Sequence, residues 1–207
     1  WTSDDKGGRW VERGRFPFMH ARPLVVGDAL YVLGHDADLC IMRSGDEGVT
    51  WSDPVYLTEG QHWHQSACNV HYRGGYIYLV MERRTRFEHD GWPVSELAPV
   101  LMRARVQDDL TLSSSWSYAS ELSFYEIEGV ADLSSVPLWK TGRTDRAGKR
   151  VMNPPGWLET NVVEFTDPGH VWHDPEGRTL HLWMRAHTGG TQLACIAKVV
   201  EGPDGVM

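Results

Sequence analysis

Residues 44–51 read SGDEGVTW, and their spacing, S-x-D-x-G-x-T-W, occurs twice in the chain. Residues 3–10 read SDDKGGRW and carry serine, aspartate, glycine and tryptophan at the same relative positions, each 41 residues before its counterpart. Two copies in register indicate a structural repeat of about 40 residues, which is the period of a propeller blade or a solenoid unit.

The residue types in this motif indicate a turn. Serine and aspartate side chains accept hydrogen bonds from nearby backbone N–H groups. Glycine adopts the positive φ that such turns often need, and tryptophan anchors the turn on a neighbouring sheet. We therefore interpret both stretches as hairpin turns without a catalytic role.

Short apolar runs separated by Gly, Asp and Pro predict an all-β chain. The runs group into units of up to four strands, and serial four-stranded antiparallel units are β-propeller blades. The predicted divisions are a blade end at 1–16, blades at 17–58 and 59–119, an insertion at 120–158 and an incomplete blade at 159–207. The sequence thus predicts about three blades of a longer propeller.

Both motif copies look like the Asp-box (BNR) repeats of the sialidase-like β-propeller superfamily. The segments WHQSACNVHYRGGYIYLVMER (63–83) and GWLETNVVEF (156–165) further resemble bacterial exo-acting glycosidase-like members. The resemblance implies a carbohydrate substrate and an extracellular or periplasmic location. Such propellers have about six blades, so the remaining blades are expected from the same protein or another chain.

Composition excludes several classes of partner. The net charge of −8 without a basic stripe argues against nucleic acid, and no apolar run approaches the length of a membrane helix. The three cysteines lack the spacing of a disulfide framework or a zinc site. His62-x-His64 has no evident third ligand, so we predict neither a metal nor another cofactor.

The predicted topology gathers polar residues at one end of the blades. In a four-stranded antiparallel unit, strand 1 begins where strand 2 ends, whereas the turn between strands 3 and 4 lies at the opposite end. Both motif copies belong to that opposite end. The strand 1 starts carry His20, Arg22, His62, His64, Gln65, Glu159 and Asn161, and the strand 2 ends carry His35, Asp36, Glu82, Arg83, Arg84, Arg185 and His187.

The first functional hypothesis is an exo-acting glycoside hydrolase, which usually needs two carboxyl groups. We predict Glu159, Glu82 and His64 as catalytic residues. Glu159 is the expected acid, because Trp157 and Leu158 flank it and apolar walls favour a protonated carboxyl group.

The expected substrate-binding residues are Arg22, His20, His62, Gln65, Arg83, Asn161, Arg185 and His187. Among them, the arginines suit an anionic sugar. The Arg-aliphatic-Pro motif of true sialidases is missing, since Arg22 and Pro23 are adjacent and follow an Asp-box copy. Sialic acid is therefore not the expected substrate.

Two alternatives stay open at this stage. One is a non-catalytic glycan-binding propeller, which needs aromatic side chains at the rim of a groove but no converging carboxylates. The other is a polysaccharide lyase, in which His62 or His64 acts as base beside an arginine that neutralises a uronate.

Overall fold

The computed structural model describes residues 1–64, 68–88, 94–126, 143–144, 150–151, 156–187 and 194–202. Within these residues the chain is all-β with short 3₁₀ turns and no α-helix, as the apolar runs predict. The strands form three larger antiparallel sheets and one short hairpin. No helix of the described part is long and apolar enough to cross a membrane.

Sheet 1 contains four strands in sequential order: β1 (Met19–Val26), β2 (Ala29–Asp36), β3 (Asp38–Ser44) and β4 (Val55–Tyr56). Gly27 has a φ of +58° and turns β1 into β2, a conformation that glycine adopts without strain. All four strands lie within residues 17–58.

Sheet 2 contains β5 (Trp63–His64), β6 (His71–Arg73), β7 (Tyr76–Arg84), β8 (Leu97–Arg105) and β9 (Trp116–Tyr118). Both β5 and β6 pair with β7, so two short strands run along the same side of it. The irregularity adds three residues on the β5–β6 side, because His64 pairs with Glu82 but His71 pairs with Tyr78.

Sheet 3 contains β12 (Gly156–Val163), β13 (Thr179–His187) and β14 (Ala194–Val200). The strands β10 (Arg143–Thr144) and β11 (Arg150–Val151) form the separate hairpin inside the predicted insertion. β12 begins at Gly156, so Glu159 lies within the strand and not ahead of it as predicted.

The largest core cluster lies between sheets 1 and 2 and includes Leu33, Ile41, Leu79 and Met102, all fully buried. A second cluster joins sheets 2 and 3 through the other face of β7, with Tyr78 and Val80 against the third sheet. Alternate residues of β7 therefore face different neighbouring sheets, which places sheet 2 between sheets 1 and 3.

The two motif copies form the same turn. In the second copy, Gly48 N–H donates to Ser44 Oγ (2.8 Å), Thr50 N–H donates to Asp46 Oδ1 (2.8 Å) and Trp51 Nε1 donates to the Gly48 carbonyl (3.1 Å). The first copy repeats the contacts to serine and aspartate, at 2.7 Å each. These stretches are hereafter the serine–aspartate turns.

The second serine–aspartate turn lies between β3 and β4, as predicted. Its Ser44 pairs with Leu30 at the start of β2, whereas Asp38 pairs with Asp36 at the end of β2. With a rise of about 3.3 Å per residue, the turn lies about 20 Å along the strand from the end that carries His35.

Trp116 occupies the place of Trp51 in sheet 2, which the sequence analysis missed. Trp51 precedes Ser52, which bonds to Arg43, and Trp116 precedes Ser117, the partner of Arg103. The Trp116 ring is buried and its Nε1 donates to the Leu110 carbonyl at 2.9 Å. A longer β8–β9 connection without the serine–aspartate spacing hides this equivalence in the sequence.

Candidate functional site

A β-bulge at the same place in β1 and in β12 shapes the predicted site. The pairing with the second strand slips by one residue between Met19 and Arg22, and again between Leu158 and Asn161. The first residue of each bulge has a positive φ, which is +49° at His20 and +57° at Glu159. Such backbone is uncommon outside glycine and often marks functional positions.

Three histidines meet where sheets 1 and 2 approach each other. The ring centroids of His20, His35 and His64 are 5.2–5.9 Å apart, and His20 Nδ1 lies 3.4 Å from His35 Nε2. Burial, followed by the nearby His64 and His20, lowers the pKa of His35 to about 4. His35 is consequently neutral at ordinary pH.

His64 is paired with Glu82. Its Nδ1 lies 2.9 Å from Glu82 Oε2, and the two residues are opposite each other on β5 and β7. The Glu82 side chain is 1% exposed and the His64 side chain is 14% exposed. A carboxylate accepts, so His64 donates through Nδ1.

Arg22 is buried near this pair. Its Nη2 donates to the Val80 carbonyl at 3.1 Å, while Nε, Nη1 and the Glu82 Oε1 have no hydrogen-bond partner among the described residues. Desolvation lowers the pKa of Arg22, and the charge of Glu82 opposes that shift. Arg22 thus lies beneath the site, and its contact with the Val80 carbonyl ties β1 to β7.

Glu159 is beside a cation and not against apolar walls, which corrects the surroundings that the sequence suggests. Its Oε2 lies 3.1 Å from Arg185 Nε, and its side chain is 38% exposed. Trp157 and Leu158 are buried in the core, and Trp157 packs against Phe124. The β-bulge explains the difference, because it turns Glu159 away from the side on which its neighbours pack.

Asn161 bonds to another sheet. Its Oδ1 accepts from the Asn69 N–H at 2.9 Å, and the Asn69 side chain in turn donates to the Val162 carbonyl and accepts from its N–H, at 2.8 Å each. These bonds connect the β6 side of sheet 2 with β12. The contact with Asn69 is the observed role of Asn161, and substrate binding by Asn161 stays a prediction.

Other predicted residues of the described part contact side chains of their own. Arg83 forms an ion pair with Glu121, and Arg84 pairs with Glu96 at 2.7 Å. The His62 ring contacts Phe87, with 4.9 Å between centroids. Gln65 lies outside the described residues, and His187 is described only as the last residue of β13.

No group of three or more His, Cys, Asp or Glu side chains among the described residues has an arrangement that could hold a metal ion. Cys40, Cys68 and Cys195 form no disulfide bond with one another.

Comparisons with known proteins give distant structural similarity. No family model matches the sequence, and no curated protein matches it. Solved structures similar to this chain include an α-L-arabinofuranosidase from Lactobacillus brevis, with a TM-score of 0.43 and 13% identity over 90% of this chain and 53% of that chain. Another is a protein of unknown function from Dyadobacter fermentans, with a TM-score of 0.48 and 16% identity over 92% of this chain and 50% of that chain. A third is the Trypanosoma rangeli sialidase in complex with the inhibitor DANA, with a TM-score of 0.35 and 11% identity over 87% of this chain and 38% of that chain.

The chain spans about half the length of the first two of these structures. Every one of the three TM-scores is below 0.5 and every identity is below 25%. Shared architecture at this distance does not determine activity.

Proposed function

We propose that this protein cleaves glycosidic bonds as a hydrolase, at the end of the sheets opposite the serine–aspartate turns. The observation that carries the proposal is the His64–Glu82 pair, in which a buried carboxylate holds a partly exposed imidazole. A partly exposed imidazole that a buried carboxylate holds in place is suited to proton transfer to or from a bound substrate.

Glu82 acts through His64 in this proposal. The carboxylate is buried and accepts from Nδ1, so it fixes the tautomer and the ring orientation of the imidazole. His64 Nε2 then carries the proton to the leaving oxygen of the glycosidic bond.

Glu159 is the second carboxylate. It contacts the Arg185 cation and not an apolar wall, so we assign it to the base or nucleophile and no longer to the acid. The side chain is accessible enough to meet a substrate, and the positive φ at this bulge fixes its direction. Two groups with different partners can divide acid and base work between them.

A lyase is the second candidate, and the same pair favours it. An imidazole held through Nδ1 can also remove the proton next to a uronate carboxylate, provided that a cation neutralises that carboxylate. Arg185, exposed beside Glu159, is the cation that this alternative would use.

The test is a substrate panel of aryl glycosides, sialosides and uronic-acid polymers with two readouts. New reducing ends without ultraviolet absorbance from an unsaturated sugar support the hydrolase, whereas that absorbance identifies the lyase. Glu159→Gln should lower kcat at least about 10²-fold. Glu176→Gln, an exposed carboxylate on the β12–β13 connection, is the matched control. If neither product forms with any substrate of the panel, the proposal is contradicted.

A further inference from the structure

A cavity of about 390 Å³ lies between sheets 1 and 2, apart from the His64–Glu82 pair. The volume is within the range of small-ligand pockets, about 300–1,000 Å³. Its walls combine apolar side chains with aromatic and planar polar ones. The residues that matter to the argument are Gln61, Trp63, Arg83, Tyr118 and Glu121.

The cavity is next to the proposed centre but on another face of the sheet. Trp63 pairs with Arg83 on the rung adjacent to the His64–Glu82 rung. Because successive side chains of a strand point to opposite faces, Trp63 and Arg83 face the cavity while His64 and Glu82 face away from it. A ligand in the cavity therefore leaves the proposed centre open.

The polar groups of the cavity are arranged to meet hydroxyl groups. Trp63 Nε1 donates to Gln61 Oε1 at 2.9 Å, which orients the amide and leaves its NH₂ group as donor. Arg83 and Glu121 form an ion pair, and both residues line the cavity. A guanidinium, a carboxylate and an amide together offer donors and acceptors for vicinal hydroxyls.

Tyr118 supplies the apolar surface. Its ring is 37% exposed and lies 6.3 Å from the Trp63 ring, and its hydroxyl has no hydrogen-bond partner in the described part of the chain. Burial raises its pKa to about 12, so the hydroxyl remains protonated and can donate. An aromatic face with a polar tip suits the C–H face and the hydroxyls of a pyranose.

We propose that the cavity formed by Trp63, Arg83, Tyr118 and Glu121 is a second saccharide-binding site, distinct from the cleavage centre. It takes a single sugar residue, stacked on Tyr118 and hydrogen-bonded by Gln61, Arg83 and Glu121. That the ligand is a carbohydrate rests on the proposed function, but binding at this cavity does not require catalysis.

The test uses saturation-transfer NMR on the purified protein with glucose, galactose, arabinose, xylose and glucuronate as probes. At least one of these sugars should bind, and Tyr118→Ala should raise its Kd about tenfold. Glu121→Gln keeps the shape of the side chain and should weaken binding as well. Tyr56→Ala is the control, because Tyr56 is exposed on β4 and does not line the cavity.

The outcomes separate this site from the proposed function. Sugar binding that depends on Tyr118 and Glu121 supports the site even if no glycosidic bond is cleaved. Failure of all five sugars to bind, or equal binding by wild type, Tyr118→Ala and Glu121→Gln, overturns the site whatever the catalytic assay gives.

Discussion

His64 Nδ1 lies 2.9 Å from Glu82 Oε2, and these two residues face each other across β5 and β7 on a single rung of sheet 2. The carboxylate is inaccessible while the imidazole is partly exposed. A ligand can therefore contact His64 directly, whereas Glu82 acts on that ligand only through the imidazole.

Asp46→Asn should lower the melting temperature by a few degrees, because Asp46 accepts from the Thr50 N–H and hydroxyl. The Thr50 bonds lower the pKa of Asp46 to about 2 from 3.8. A lowered carboxyl pKa stabilises the fold above the unfolded value and loses that effect as pH falls through the folded value.

The melting-temperature difference between wild type and Asp46→Asn should thus shrink between about pH 4 and pH 2. Thermal melts over this range measure it. Asp53→Asn is the control, since Asp53 is exposed and adjacent to the turn. A difference that stays constant across the range would show that the aspartate charge does not hold the turn.

His35 should make the protein sensitive to mild acid. Its folded pKa of about 4 is below the ordinary 6.5, so the unfolded chain binds a proton first as pH falls. Stability from this group is complete above about pH 6.5 and is lost toward pH 4. The groups around it are His20, His64 and Asp36.

In wild type, the urea midpoint should fall between pH 6.5 and pH 4, and His35→Gln should make this fall smaller. His62→Gln is the control, because His62 is exposed and its replacement should leave the pH dependence of the urea midpoint as in wild type. Equal slopes in wild type and His35→Gln would contradict the burial of a neutral imidazole.

Trp116→Ala should destabilise the fold by about 3–5 kcal/mol, the usual effect of removing a buried tryptophan. The variant leaves a cavity in the core between sheets 1 and 2 and removes the bond to the Leu110 carbonyl. Trp172→Ala, at a half-exposed ring, should change the free energy of unfolding much less. Similar losses in both variants would argue against Trp116 as the anchor of sheet 2.

Asn69→Ala should loosen sheet 3 from sheet 2, because the side chain donates to and accepts from Val162. Loss of two hydrogen bonds corresponds to about 1–3 kcal/mol. Asn69→Asp keeps the acceptor and loses the donor, so its effect should be intermediate. Hydrogen exchange of the β12 amides follows the change, and unchanged protection in Asn69→Ala would contradict the contact.

The sequence was sufficient for the all-β class and for the place of one turn. Short apolar runs and the two S-x-D-x-G-x-[TR]-W stretches depend on local chemistry, so they predicted a chain of β-strands and the place of the second serine–aspartate turn. The role of Trp116 was not predicted, because the longer β8–β9 connection lacks the serine–aspartate spacing although Trp116 packs in the same position as Trp51.

The site was predicted only as a collection of polar residues. The sequence placed His64, Glu82 and Glu159 at one end of the sheets but assigned Glu159 apolar surroundings from its neighbours in the chain. The bulge in β12 turns Glu159 away from these apolar neighbours and toward Arg185 on β13. Likewise, the partner of His64 is Glu82 on another strand. Cross-strand pairing of this kind depends on register, which one sequence does not specify residue by residue.

The most direct test of the central claim is the kcat of Glu82→Gln on whichever glycoside the protein cleaves, compared with wild type and with Asp46→Asn as a variant at the opposite end of the sheets. Glutamine at position 82 keeps the shape of the side chain but removes the charge that orients His64. The account predicts that kcat falls at least about 10²-fold while the protein remains folded. Unchanged kcat in folded Glu82→Gln would contradict it.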